Sequence, residues 1–304
     1  MNFVLIAGRW RIDGTNATYL GSEEREDPVG ICLVPTRFRS GLLVVEATIK
    51  DSKGIARVVV GYHTATGSYY SIGIGGSGSA YMINEFVPGR GWRTIRAIGA
   101  ESQLRTGILY HLEVEVAGQR VSLSVDGVQV LEAALPSPLQ GDQVGLFAGG
   151  ASEVTFEKFH ISGTEPRIFV VMQFGGPYDS LYTEVIQPVA DRLGFTAFRA
   201  DDVFRPGVIL QDIIRGIIES DVIVADITPL NANVFYELGY AHALQKPTIF
   251  LANRQIEKLP FDISGYRVIF YDDTIGGKRG IEGLLERYLE DIRRGTGSLT
   301  APPH

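Results

Sequence analysis

Residues 221–253 read DVIVADITPLNANVFYELGYAHALQKPTIFLAN, and this stretch decides the fold of the second half of the chain. Residues 221–226 and 247–253 are short apolar runs, as in strands that are covered on both faces. The segment between them, 233–245, carries its apolar residues at helical spacing. A strand, a helix and a second strand in this order predict two parallel strands joined by a crossover helix.

The same alternation of strand and helix continues on both sides of this stretch, over residues 167–295. We expect Pro188 to kink or divide the first helix, because proline lacks the backbone donor that a helix interior needs. The predicted elements are strand 167–174, helix 179–193, strand 195–201, helix 208–220, strand 221–226, helix 233–245, strand 247–253, strand 266–273 and helix 280–294. This order predicts an α/β domain whose parallel sheet carries helices on both faces, followed by a disordered tail over 296–304.

Residues 1–163 have a different pattern, with many short runs of β-branched and aromatic residues and no helical stretch. In residues 120–133, Asp126 and Gly127 lie between two alternating runs. Asp-Gly favours a type I′ hairpin, in which both central residues need a positive φ. The first half is therefore predicted to be an all-β sandwich of the jelly-roll type, and residues 161–166 are predicted to be the linker.

Charge and composition restrict the classes of partner. The formal net charge is −7 and the pI is about 5.3, which argues against a nucleic acid partner. Cys32 is the only cysteine, which excludes an internal disulfide, and no Cys/His cluster indicates zinc. No segment has the length of a membrane span, and residues 1–10 indicate a first strand rather than a signal peptide. We expect a cytoplasmic protein with no metal, no cofactor, and no nucleic acid or membrane partner.

Polar residues follow the predicted parallel strands. They are Gln173–Gly176, Asp201 and Asp202, Asp226–Thr228, Asn253 and Arg254, and Asp272 and Asp273. Ligands of open α/β sheets bind beyond the carboxyl ends of the strands, so we expect these residues to converge on one crevice. The alternative is that they are ordinary turn formers at strand ends.

Glu237 is the most informative polar residue of the predicted helix 233–245. With Asn233 as the N-cap, Glu237 lies about one turn into the helix, on the stripe of Val234, Ala241 and Leu244. A carboxylate on a packing face is costly unless the protein needs it. The alternative is a first-turn acid that the helix dipole favours, with its head in solvent.

A carboxylate near this helix start, with Asp226 at the preceding strand end, suits cleavage of a glycosidic bond without a metal. One carboxylate would be the nucleophile or would stabilise an oxocarbenium-like carbon, and the other would hold ribose hydroxyls. Arg205 is interpreted either as a phosphate contact or as a surface charge. The candidate binding residues are Gln173, Phe174, Gly175, Gly176, Tyr178, Asp202, Arg205, Asp226 and Asn233.

Segments within residues 167–292 resemble the nucleoside 2-deoxyribosyltransferase-like and TIR-like superfamily. The matching segments are VVMQFGGPYDSLYTEVIQPVADRLGF, RADD, DVIVADIT and NANVFYELGYAHALQKP. The resemblance implies a flavodoxin-like fold, Glu237 as catalytic glutamate, Asp226 as sugar-binding acid, and the Gln173–Gly176 turn near the base or phosphate. The deoxyribosyltransferases usually have a Gly-Thr sequence before their catalytic glutamate. Residues 231–234 differ from it, which favours the TIR-like branch. That branch implies cleavage of NAD or a related nucleotide, self-association, and a place in antiphage defence.

The first half resembles a concanavalin or laminin-G type jelly roll through residues 110–133, 143–150 and 154–161. This resemblance implies a ligand-sensing or oligomerisation domain. Its aromatic residues could line a ligand surface, or they could be core residues and cross-strand pairs. These residues are Tyr69, Tyr70, Tyr81 and Trp92.

Three functions therefore stay open at the level of sequence. The first is a nucleotide N-glycosidase, with NAD as the expected small-molecule substrate and Glu237 as the essential group. The second is a nucleoside 2-deoxyribosyltransferase. The third is a non-catalytic nucleotide-sensing module whose sandwich binds a glycan or another partner.

Overall fold

The computed structural model describes residues 2–21, 29–176, 178–202, 209–256 and 258–294. The chain divides into two compact units. The first comprises Met1–Leu135 and Leu139–Thr164, and the second contains the chain from Glu165 onward. The predicted tail, 296–304, lies outside the described residues. Among the helices that the structure describes, none is long and apolar enough to cross a membrane.

The first unit is an antiparallel β-sandwich, as predicted. Its strands are β1 (Val4–Ala7), β2 (Trp10–Asp13), β3 (Asn16–Tyr19), β4 (Val29–Arg37), β5 (Gly41–Ile49), β6 (Ile55–Tyr62), β7 (Tyr69–Ile74), β8 (Ser79–Val87), β9 (Gly91–Ala100), β10 (Leu109–Ala117), β11 (Arg120–Val125), β12 (Val128–Ala134), β13 (Gln143–Gly149) and β14 (Val154–Gly163). A 3₁₀ turn, Glu101–Gln103, follows β9. One seven-stranded sheet has the order β1-β4-β13-β6-β7-β8-β9, and the other has the order β12-β11-β10-β5-β14-β3-β2.

Alternating burial along the strands builds the sandwich core. In β5, Leu43, Val45, Ala47 and Ile49 are fully buried, while the residues between them point away from the core. The hairpin between β11 and β12 also forms as predicted. Asp126 and Gly127 have φ values of 50° and 79°, so both central residues are left-handed, as a type I′ turn requires.

The four aromatic residues that were candidates for a ligand surface have different environments. Tyr69 and Tyr70 are each 4% exposed and belong to apolar clusters of the sandwich. Tyr81 is half-buried and packs against the main core. Trp92 is 45% exposed, and its ring lies against those of Tyr69 and Phe147. The interpretation as core residues therefore fits Tyr69 and Tyr70, and Trp92 alone of the four is exposed.

The linker is shorter than predicted. Residues 161–163 continue β14, because their backbone pairs with Leu43, Leu42 and Gly41 of β5. Only 164–166 remain between this strand and the next. The sequence had indicated a linker from residue 161, since Ser162 and Gly163 are typical of loops.

The second unit is a parallel α/β sheet with a flavodoxin-like strand order. Its elements are β15 (Arg167–Val171), α1 (Tyr178–Leu181), α2 (Gln187–Arg192), β16 (Thr196–Phe198), α3 (Ile209–Glu219), β17 (Val222–Asp226), α4 (Ala232–Ala243), β18 (Thr248–Asn253), β19 (Val268–Tyr271) and α5 (Ile275–Arg294). A 3₁₀ turn, Ala200–Asp202, follows β16. The five strands lie in the order β16-β15-β17-β18-β19, and every pair is parallel. Numbered within this unit, the order is 2-1-3-4-5, the flavodoxin-like order.

Helices cover both faces of this sheet, as the sequence predicts. One apolar core lies between the sheet and α1, α2 and α5, and it includes Val170 and Val224. The other lies between the sheet and α3 and α4, and it includes Val171 and Ala225. Successive residues of a strand therefore serve opposite cores, which explains why the strands are apolar throughout.

Pro188 divides the first helical segment in the predicted way. A π-helical turn, Tyr182–Ile186, separates α1 from α2, and Pro188 lies in the first turn of α2. Proline cannot donate a hydrogen bond to the preceding turn, and a wider turn accommodates its ring.

Candidate active site

The crevice between the carboxyl ends of β15 and β17 is the topological switch point of the sheet. The chain leaves these neighbouring strands toward opposite faces, which opens a crevice where ligands of such sheets bind. Asn231 Nδ2 donates a hydrogen bond to Gln173 Oε1 at this point. This bond joins the segment after β15 to the start of α4.

The N-cap of helix α4 lies two residues before the predicted position. Its N-cap is Asn231, which is extended and whose Oδ1 accepts from the backbone N of Asn233 at 2.8 Å. The prediction that Asn233 is the N-cap is therefore wrong, and the Asn233 side chain is exposed within the first turn. Both residues have the same side chain, so local preference did not distinguish them. The bond from Asn231 to Gln173 adds a tertiary contact that only the residue at 231 makes.

Glu237 lies in the second turn of α4, which packs against β15 and β17. The neighbours on its stripe, Val234 and Ala241, are buried. The Glu237 side chain is half-buried, whereas the adjacent Tyr236 is 57% exposed. No hydrogen bond or ion pair joins the Glu237 carboxyl group to another residue that the structure describes. Burial therefore acts unopposed and raises the pKa of Glu237 to about 7.

Asp226 is the last residue of β17 and is fully buried. Its Oδ2 accepts from Tyr271 Oη at 2.8 Å, and its Oδ1 accepts from the backbone N of Thr228 at 3.1 Å. Burial raises the pKa of Asp226 to about 7, although both hydrogen bonds act in the opposite direction. Asp226 and Glu237 are not hydrogen-bonded to each other. The contact that was predicted between Asp226 and ribose hydroxyls stays a prediction.

A small cleft that is open to solvent lies beside Tyr271, at the carboxyl ends of β18 and β19. Its lining residues are Tyr178, Ser180, Leu181, Asn253, Tyr271, Asp272, Asp273 and Ile281. Tyr178 was a candidate binding residue, and Asn253, Asp272 and Asp273 were among the polar residues expected at the crevice. Tyr271 directly precedes the polar pair Asp272 and Asp273. The expectation that residues after a strand face the crevice therefore pointed to its neighbours but not to Tyr271 itself.

Arg199 organises the segments after β15 and β16, and sequence reasoning missed it. Its side chain is 8% exposed; Nη1 donates to Asp179 Oδ1 at 2.8 Å, and Nε and Nη2 donate to Asp201 at 2.9 and 2.7 Å. The guanidinium lies 5.1 Å from the ring centre of Phe174 and 4.4 Å from that of Tyr182. The arginine therefore fixes Phe174 through a cation–π contact. The sequence had placed Arg199 inside the predicted strand 195–201, but β16 ends at Phe198, so Arg199 directly follows the strand.

The other predicted site residues have local structural roles or lie outside the structure. Asp202 Oδ2 accepts from Tyr182 Oη at 2.5 Å and from the backbone N of Arg199 at 2.8 Å. Gly175 has a φ of 92°, which favours glycine. A Cβ at Gly175 or Gly176 would meet no described atom within 4 Å, so the turn is not closely packed. Arg205 lies outside the described residues.

Metal ligation has no candidate cluster in the part of the chain that the structure describes. No group of three or more His, Cys, Asp and Glu side chains there is arranged to hold a metal ion. The polar groups that the switch point does offer are carboxyl, amide and guanidinium groups.

No protein-family model and no curated protein sequence matches the chain. Among solved structures, the chain is similar to the carbohydrate binding module CBM66 from Bacillus subtilis, at 15% identity and a TM-score of 0.42, over 52% of this chain and 92% of that one. A Bacillus subtilis protein of unknown function with a galectin-like fold matches at 10% identity and a TM-score of 0.40, over 52% and 87%. The CMP N-glycosidase BcmB of Clostridium botulinum matches at 18% identity and a TM-score of 0.33, over 40% and 99%.

Proposed function

We propose that the second unit is a nucleotide N-glycosidase that hydrolyses NAD, with Glu237 as the catalytic carboxyl group. The supporting observation is that Glu237 is half-buried, has no partner among the described residues and lies on the helix that begins at the switch point. A carboxyl group in this condition reduces the stability of the fold, which favours a functional reason for its presence.

The chemistry of NAD suits a single carboxylate. As the bond between the ribose C1′ and the pyridinium nitrogen breaks, its electron pair moves to the nitrogen, and nicotinamide leaves as a neutral molecule. No acid is needed for this step, since the leaving group carried the positive charge beforehand. The ionised Glu237 would stabilise the positive charge that develops at C1′.

Water then adds to C1′, and its proton is lost to the carboxylate and from there to solvent. The products are ADP-ribose, nicotinamide and one proton. A carboxyl group with a pKa of about 7 is ionised in part at neutral pH and can also accept a proton. Glu237 would therefore stabilise the charge at C1′ in the first step and accept the proton of water in the second.

We infer that this unit belongs with the TIR-like branch rather than with the nucleoside 2-deoxyribosyltransferases, because residues 231–234 lack the Gly-Thr sequence that usually precedes the glutamate in those transferases. That branch brings two further proposals, self-association and a role in antiphage defence. Asn231 is one of the residues that differ from the Gly-Thr sequence, and it has a structural role because its side chain is hydrogen-bonded to Gln173.

Nicotinamide release from NAD by the purified full chain tests the proposal. We expect Glu237→Gln to lower kcat by about a thousandfold, the range typical of a lost acid–base or charge-stabilising group. Glu286→Gln is the matched control, since Glu286 is a half-exposed acid of α5 that is paired with Arg192. The assay is run over a series of protein concentrations, so that an activity that needs assembly is detected.

Three other outcomes would redirect the assignment. Equal rates for wild type and Glu237→Gln would remove Glu237 from the chemistry. Base exchange that occurs only with a free acceptor base would identify a 2-deoxyribosyltransferase. Thermal stabilisation by a nucleotide without turnover would identify a sensing module.

A further inference from the structure

The cleft beside Tyr271 and the proposed catalytic group lie on opposite faces of the same sheet. Tyr178, Leu181 and Ile281 line the cleft and belong to α1 and α5, which cover one face. Glu237 belongs to α4, which covers the other face. Both positions are at the carboxyl edge, where ligands of such sheets bind.

The lining of the cleft combines the two kinds of surface that a nucleoside needs. Tyr178 supplies a partly exposed aromatic side chain on which a planar base can pack, and the buried side chains of Leu181 and Ile281 lie beside it. Asn253 and Asp273 supply polar groups. Carboxylates accept hydrogen bonds from ribose hydroxyls, which is how many dinucleotide-binding sheets hold ribose.

Of the two aspartates in the cleft, Asp273 is the one available to a ligand. The Asp272 carboxylate forms an ion pair with Arg254 at 3.2 Å. The side chain of Asp273 is exposed, and it has no ion pair or hydrogen bond with a described residue. An exposed acceptor beside aromatic surface can bind a hydroxyl without the loss of an internal contact.

Two cleft residues also hold the segment that leads into α4. Tyr271 donates its hydroxyl to Asp226, the last residue of β17. The backbone N of Asn253 donates to Thr228 Oγ1 at 2.9 Å. A ligand in the cleft therefore contacts residues that are bonded to the strand and turn preceding α4, the helix of Glu237.

We propose that this cleft binds the second nucleoside of a dinucleotide, so that the substrate spans both faces of the sheet edge. The inference rests on the proposed N-glycosidase function and adds to it a separate subsite for the adenosine half of NAD. Strand β19, which ends at the cleft, is two strand spacings, or about 10 Å, from β17. A ligand that reaches both positions is longer than one nucleoside, and NAD has that length and carries adenosine at its other end.

Binding of adenosine to the Glu237→Gln variant tests the cleft without any dependence on turnover. Isothermal titration calorimetry should give saturable binding, and Asp273→Asn or Tyr178→Ala in the same background should each raise Kd by about tenfold. Asp262→Asn is the control with the same charge change, since Asp262 is exposed and lies outside the cleft; it should leave Kd unchanged. Absence of adenosine binding, or equal Kd values in all four proteins, would overturn the proposal.

Kinetics with two substrates then separate the cleft from the catalytic group. Nicotinamide riboside carries the scissile bond of NAD but lacks the adenosine half. Asp273→Asn should lower the ratio of kcat/KM for NAD to that for nicotinamide riboside by about tenfold. An unchanged ratio would contradict the proposed subsite while leaving the N-glycosidase function in place. Adenosine binding that depends on Asp273, without turnover of NAD, would support the subsite and contradict the N-glycosidase function.

Discussion

Buried ionisable groups have different hydrogen-bonding environments at the two edges of the parallel sheet. At the amino edge, Lys246 is 5% exposed, and its Nζ donates to the backbone oxygens of Ile218 and Ser220 at 2.7 and 2.5 Å. Burial lowers the pKa of Lys246 to about 7, and a neutral amine still has two N–H groups for these two carbonyls. Both hydrogen bonds can therefore form in either protonation state of the amine.

The carboxyl edge has one ionisable group in a less favourable condition. The Glu237 carboxyl group is half-buried and has no partner among the described residues, whereas the buried Asp226 accepts two hydrogen bonds. The same unit thus satisfies a buried charge where no ligand is expected and leaves one unsatisfied where ligands of this fold bind. This difference is what we expect if the proposed active site lies at the carboxyl edge, because functional sites often give up stability.

The largest effect on stability is expected from Lys246→Met. The substitution leaves the carbonyls of Ile218 and Ser220 without their donor, so the free energy of unfolding of the second unit should fall by about 3 kcal/mol. Urea unfolding followed by far-UV circular dichroism measures this, because the described α-helices all lie in the second unit. Lys258→Met, at an exposed position, is the matched control.

Tryptophan fluorescence gives a further check on the Lys246→Met result. Trp10 and Trp92, the two tryptophans of the chain, lie in the β-sandwich. The unfolding transition that they report should keep its wild-type midpoint. Equal stability of Lys246→Met and wild type would break the contrast between the two edges.

A smaller effect on stability is expected from Glu237→Gln. It depends on pH, and at high pH the substitution should stabilise the protein instead of destabilising it. The pKa of Glu237 rises from 4.5 to about 7 on folding, so the native state holds a proton that the unfolded chain has lost between these values. The free energy of unfolding therefore falls as the pH rises through this window, by on the order of 2 kcal/mol for this group. Glu237→Gln should remove that part of the fall and should be more stable than wild type at about pH 8.

Urea unfolding curves at several pH values measure the slope for wild type and Glu237→Gln. Asp226, whose pKa is also raised to about 7, contributes a fall of the same sign, so the variant keeps part of the slope. If Glu237→Gln proves less stable than wild type at high pH, the carboxylate has a stabilising partner and the comparison fails.

The smallest effect is expected from the two asparagines at the start of α4. Asn231→Ala should lower the free energy of unfolding by about 1 kcal/mol, because it removes the N-cap as well as the bond to Gln173. Asn233→Ala should change it by less than about 0.5 kcal/mol, as for other exposed positions. Thermal unfolding of both variants decides which asparagine caps the helix, and the reverse order would contradict the cap at Asn231.

The sequence predicted most of the architecture but only part of the site. Alternation of strand and helix gave the α/β unit, Asp126 and Gly127 gave the type I′ turn, and Pro188 marked the division of the first helix. Local preference could not choose between Asn231 and Asn233 as N-cap. Arg199 was missed, because its partners Asp179 and Asp201 and the ring of Phe174 come together only when two strand ends meet.

By itself, the sequence determined the class of each unit and the order of strands and helices in the second unit, because hydrophobic periodicity and turn residues act over a few neighbouring positions. It also singled out Asp226 by its place at the end of a strand and Glu237 by its place within a helix. Only the tertiary structure decided that Asp226 is bonded to Tyr271 and that Glu237 has no partner among the described residues. The physical reason is that desolvation and hydrogen bonding depend on groups that are distant in the chain, and these set the pKa of a carboxyl group.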